Sequence, residues 1–198
     1  MPAVTLGHPL TGRLLPALVV CACAGCAVAT SPRAQDSARA FPAFAERVRA
    51  YVDLQETVER ALPEQRGGKE SERVARHQHA LAAAVADARP DAKPGDVFEP
   101  AVNQGIRAIV ADAFHGSHSR NMRRTIADRP EGTIPVLHVN AIYPDDLLLT
   151  TMPPTLLRRL PFVPDDVAYR IIGRALVLQD AKTGMIVDVI VDAIPQAR

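Results

Sequence analysis

The chain has only three cysteines, Cys21, Cys23 and Cys26, and none beyond residue 26. A cysteine nucleophile, a thiolate metal site and a structural disulfide are therefore excluded from everything that follows residue 26. Tryptophan is absent and aromatics total only 4%, so platforms for stacking bases or sugars are poorly supplied. Net charge is scarce too. Residues 1–29 hold one basic side chain, Arg13, and no acid, which leaves 22 basic against 22 acidic residues in the remainder. That balance creates no long-range field for nucleic acid or for an acidic membrane, and no nucleic-acid partner is expected. The chain also lacks a phosphate-cradling glycine loop and the Gly-x-Ser-x-Gly elbow of serine hydrolases.

What is present is ordinary for a globular protein: 47% apolar and 23% charged residues over 198 positions, enough for one domain or two small ones. The first distinct stretch is Leu14 to Ala29, LLPALVVCACAGCAVA. It falls short of the ~20 apolar residues of a spanning helix and reads as an export signal. Residues 1–29 are accordingly expected to be a signal peptide. Two cleavage sites compete. Ala27-Val28-Ala29 has the small-x-small form and would leave Thr30 first. Cys23-Ala24-Gly25-Cys26 resembles a lipobox, with cysteine where leucine is usual, and would make Cys26 an acylated N-terminus. Soluble export and lipid anchoring both stay open, and contact with the membrane is expected only through a lipid on Cys26.

Residues 30–40 are small, polar and aperiodic, and are expected to form a flexible tether. A helical region follows over 41–130. Phe44, Val48, Tyr51, Gln55, Val58 and Leu62 recur at spacings of four and three, which predicts a helix from Pro42 to Leu62. Val74, His77, Leu81, Val85 and Ala88 predict a second, from Lys69 to Ala88, antiparallel to the first. Val102, Ile106, Ile109, Val110 and Ala113 predict a third, from Pro100 to Phe114. Ser117 to Asp128 reads as a fourth.

In residues 131–198 the period becomes two. Leu137, Val139, Ala141 and Tyr143 alternate with Val136, His138, Asn140 and Ile142, as in a strand. Pro153-Pro154 opens a short helical turn. The last element, Ala168 to Ile194, is predicted to be a β-hairpin turning at Ala181-Lys182-Thr183-Gly184. Its second run puts Met185, Val187, Val189 and Val191 on one face, expected to be buried, and Ile186, Asp188, Ile190 and Asp192 on the other, expected to be solvated. The fold class expected is α+β, a mainly helical N-terminal part followed by a small antiparallel β-sheet with a C-terminal hairpin.

Pro153-Pro154, Leu160-Pro161, Pro164, Tyr169-Arg170, Gly173, Leu176-Val177-Leu178, Asp180, Thr183-Gly184 and Ile186 to Ile190 resemble the C-terminal module of RcnB-like periplasmic proteins. That resemblance covers about 45 residues and implies a shared hairpin module and a link to nickel and cobalt homeostasis. Over its whole length the chain is similar to a set of secreted bacterial proteins with a helical front, a Tyr-Pro element such as Tyr143-Pro144, and the same terminal hairpin.

Candidate metal ligands are His77 with His79 and His115 with His118, since neutral imidazoles suit nickel, cobalt, copper or zinc, with Asp112 or Asp87 completing a shell. Against this, His77 and His79 lie two apart on a helix and point about 200° apart. Ser117 and Ser119 beside His115 and His118 raise the alternative of a hydrolase. The acidic pairs Asp145-Asp146 and Asp165-Asp166 follow prolines and are explained as turn and cap residues. No catalytic residue and no cofactor is predicted. The leading expectation is an exported, non-enzymatic protein that binds an envelope partner or joins an assembly. A periplasmic metal-binding or metal-responsive protein is the alternative.

Overall fold

The computed structural model describes residues 32–115, 136–143 and 152–195. Three helices come first: α1 (Pro32–Ala61), α2 (Glu70–Ala88) and α3 (Pro100–His115). A single-turn helix, α4 (Pro154–Leu157), precedes an antiparallel sheet of β1 (Val167–Ile172), β2 (Ala175–Asp180) and β3 (Ile186–Ile190), in that spatial order. The α+β architecture is thus as the periodicity implies. The predicted fourth helix, Ser117 and Ser119, His118, Asp145-Asp146, and the signal segment with Cys26 lie outside the described residues.

The helices form where the stripes predict them. On α1 the buried side chains are Phe44, Val48, Tyr51, Val52 and Gln55. This helix starts ten residues before the predicted start at Pro42, at Pro32, so residues 32–40 are helical and not the expected tether. Proline suits a first helical position, and the alanines and arginines that follow have high helix propensity. Pro42 consequently falls inside the helix, where it can donate no backbone hydrogen bond. On α2, Leu81, Ala82 and Val85 are buried while Val74 is half exposed. On α3, Val102, Gly105, Ile106, Val110, Ala113 and Phe114 are buried.

One apolar cluster joins these helices to a face of the sheet, through Val167, Tyr169, Ile171, Leu176, Leu178, Val187 and Ile190. Phe98, in the loop between α2 and α3, sits at the junction. Its ring stacks on Phe44 of α1 at 5.7 Å and on Tyr169 of β1 at 6.4 Å. The opposite face of the sheet carries a smaller cluster of Ile172, Ala175, Val177, Ile186 and Val189, with Tyr143 and Leu137 packed on it. Helical and β-rich regions therefore share a core.

Three expectations for the β-rich region need correction. The run from Ala168 to Asp180 is two strands, because Gly173 takes a φ of +59° and turns the chain between β1 and β2. The predicted strand over 136–143 reduces to a single bridge, Ile142 to Met185, since Asn140 adopts a φ of +68° and bends the chain out of the extended region. Finally, neither face of β2 or β3 is solvated: every residue of both strands is buried, Asp188 included, whereas Val191, expected inside, is exposed just past β3 together with Asp192. Strict alternation also fails within β3. Leu178 pairs with Asp188 and Gln179 with Ile186, so Val187 is the extra residue of a β-bulge. Val187 joins the large cluster while Ile186 and Val189 join the small one.

Candidate functional site

Two buried carboxylates bind the sheet to the helices. Asp188 accepts backbone N–H bonds at Oδ2 from Val97 (2.8 Å) and Phe98 (2.7 Å), and at Oδ1 from Gly95 (2.9 Å) and Val189 (2.7 Å). The loop carrying Phe98 is thereby pinned to β3. Asp180, at the start of the hairpin turn, accepts the N–H groups of Lys182 (2.8 Å) and Thr183 (2.9 Å) at Oδ1. Its Oδ2 accepts the Tyr51 hydroxyl (2.6 Å) and the Gln55 amide (2.5 Å) of α1. Buried acids survive in a core only when their oxygens are satisfied in this way. Tyr51 is pushed above its ordinary range, by burial first and then by the neighbouring Asp180. Arg89, at the end of α2, lies 5.1 Å from the centre of the Tyr51 ring and donates to the carbonyl of the bulged Val187 at 3.0 Å.

With the turn fixed by Asp180, its next residue but one is placed at the mouth of a groove. Lys182 Nζ lies 2.8 Å from Glu59 Oε2 on α1, and His77 Nε2 on α2 lies 3.2 Å from Glu59 Oε1. Asp166, before β1, stands 3.8 Å from the same ammonium. The Glu59 carboxyl is held below the ordinary carboxylate range, chiefly by the hydrogen bond from Lys182 and then by that to His77. Lys182 is raised, chiefly by the same bond to Glu59. These side chains are about a third exposed, so water screens the pairs and they act as a modest clasp between helices and hairpin.

The groove runs between the end of α1, the loop after it, and α2, with a volume of about 520 Å³. Its apolar lining comes from Leu62, Pro63, Val74 and Leu81, and its polar lining from Glu59, Glu64, Gln65, Arg73, His77, Gln78 and Lys182. A volume of a few hundred Å³ with an apolar floor and a few polar groups is the usual form of a small binding site. A second cavity of about 410 Å³ lies under Leu160, Val163 and Tyr169, beside an almost fully exposed Phe162.

Of the residues singled out as metal ligands, His77 lines the groove and contacts Glu59, whereas His79 and His115 are exposed. Among the described residues no three or more His, Cys, Asp or Glu side chains converge as a metal-holding group. Glu59, Arg73 and Lys182 escape sequence reasoning because they come from three separate elements. Gln55 does carry a signal, being a polar residue inside an apolar stripe, and so does Asp188, a charge in the middle of a buried β run. The chain matches no protein-family model, no curated protein and no solved structure. No described helix is long and apolar enough to cross a membrane.

Proposed function

We propose that this is an exported, non-catalytic binding protein of the cell envelope, which holds its partner in the groove between α1 and α2. The observation that carries this reading is the groove itself: an open apolar floor with Val74 half exposed upon it, framed by side chains from α1, α2 and the hairpin turn. The chemistry around it supports binding over catalysis. Both oxygens of Asp180 and of Asp188 are occupied by structural donors, and Glu59 is held as the anion between Lys182 and His77. Export is supported by the apolar run ending in two cleavage motifs. The similarity of the terminal hairpin to RcnB-like proteins fits an envelope location.

Cell fractionation with affinity capture from envelope extract tests the reading. Wild type should be recovered from the envelope with a defined partner, and Val74→Glu, which places a charge on the groove floor, should lose that partner while folding normally. Recovery from the cytosol, or equal capture by both proteins, would overturn it.

A further inference from the structure

Phe162 is the most exposed large apolar side chain among the described residues, at 86%. Its backbone is braced on both sides. The Pro161 carbonyl accepts the Tyr169 hydroxyl at 3.0 Å, the Pro164 carbonyl accepts the Val167 N–H at 3.2 Å, and the two prolines fix φ around it. The ring is therefore a preorganised knob held out from the surface. Beside it lies a hole, the cavity of about 410 Å³ walled by Leu157, Leu160, Val163 and Tyr169, of which Phe162 forms part of the rim. A cavity of ~150 Å³ already admits a benzene ring, so this one has room for a phenyl group and more. The charges of the rim divide in the same way. Arg158, Arg170 and Asp165 line the cavity, and the Arg170 guanidinium is held by Gln179 Oε1 at 3.1 Å. Next to them Arg159 is paired with Asp112 at 2.5 Å, and Asp166 faces Lys182 at 3.8 Å. Arg158 and Asp165 remain, both exposed, and their side chains have no hydrogen-bond or ion-pair partner among the described residues, each other included.

From this we infer that a second copy of the chain docks here about a two-fold axis, each Phe162 entering the partner's cavity and each Arg158 meeting the partner's Asp165. A two-fold contact requires one patch to carry both members of every interacting pair. This patch does so twice, with knob and hole side by side and one unpaired charge of each sign. An acidic lipid surface would use the ring and Arg158 but would meet Asp165 as a like charge. The contact is small, so the two copies exchange with free monomer and do not form a permanent assembly. It involves none of the residues of the groove between α1 and α2, and it stands or falls independently of that site.

Sedimentation velocity of the protein as purified from cells tests this. Wild type should pass from monomer towards dimer as its concentration rises from micromolar to sub-millimolar, as a small interface requires. Phe162→Glu, at a position too exposed to support the fold, should weaken association at least about tenfold. Arg158→Asp and Asp165→Arg should each weaken it as well, by setting like charges opposite one another. Mixed in equal amounts, these two charge variants should associate about as well as wild type, because in the mixed pair both contacts again join opposite charges. Only a contact between copies behaves in that way. A monomer at every concentration, association unchanged in Phe162→Glu, no loss in the single charge variants, or no recovery on mixing would overturn the inference. So would a monomer that binds phosphatidylglycerol vesicles through Phe162, which would give the patch to a membrane.

Discussion

Replacing Asp188 by asparagine keeps the size of the side chain and removes half of its accepting capacity. The carboxylate receives four N–H groups, three of them from the loop at Gly95, Val97 and Phe98. An asparagine carbonyl can retain one pair, while its NH₂ would then face the other two donors in a site that water does not reach, since Asp188 is fully buried. Bonds to charged groups are worth roughly 1.5–3 kcal/mol each, so losing two should cost on the order of 3–6 kcal/mol. That is a large share of the ~5–15 kcal/mol that holds a typical domain together. With a urea slope of about 2 kcal/mol/M, the unfolding midpoint should fall by roughly 2 M. Hydrogen exchange at the Val97 and Phe98 amides should accelerate in the same variant. A midpoint within about 0.3 M of wild type would refute the view that Asp188 pins the loop to the sheet.

Further expectations concern the same core. Val189→Ala and Ile190→Ala should each cost about 1–3 kcal/mol in urea unfolding, because the two lie in different buried clusters on opposite faces of the sheet. Gly184→Val should cost more than about 1 kcal/mol by the same assay: there is room for a Cβ, but Gly184 has a φ of +73°, which a β-branched residue adopts only under strain. Burial holds Tyr51 and Tyr169 protonated beyond the ordinary tyrosine range, so their contribution to stability is complete below pH ~10 and is lost as the pH rises beyond it. Tyr51→Phe should therefore flatten the alkaline limb of a stability–pH curve. The lowered Glu59 contributes above its ordinary value of 4.5 and loses that contribution as the pH falls through its native value, so Glu59→Gln should flatten the acid limb. If the chain is exported as proposed, the intact mass of the protein recovered from cells should show loss of 25 residues with added lipid, or of 29 without.

Much of this architecture is legible in the sequence, and the failures have local physical causes. The 3.6-residue stripes on α1, α2 and α3 report burial directly, because each helix presents a single face to a common core. The hairpin turn is legible because Gly184 supplies the positive φ that its geometry requires. The faces of β3 are not legible, since a bulge at Val187 changes the phase of the alternation without altering composition. Asp188 misleads for a related reason. A charge in a strand normally marks a solvated face, and here it marks a carboxylate satisfied by backbone amides from a loop 90 residues away in sequence. Asn140 ends the predicted strand because its short polar side chain tolerates the left-handed region. The groove is invisible for a different reason. Arg73 and His77 share a face of α2 by their spacing of four, but Glu59 and Lys182 join them only when α1, α2 and the hairpin turn pack together, and no spacing within one element encodes that meeting.

The reading of the groove is tested most directly by placing a photo-crosslinking amino acid at Val74 in the living cell and weighing the purified protein after irradiation. Ala83 serves as the control, being an exposed α2 residue half a turn of the helix away from Val74 in projection. If the groove holds the partner, the Val74 variant acquires a discrete adduct, whether a small molecule or a protein, and the Ala83 variant does not. An adduct at Ala83 as abundant as at Val74, or none at Val74, would contradict the account.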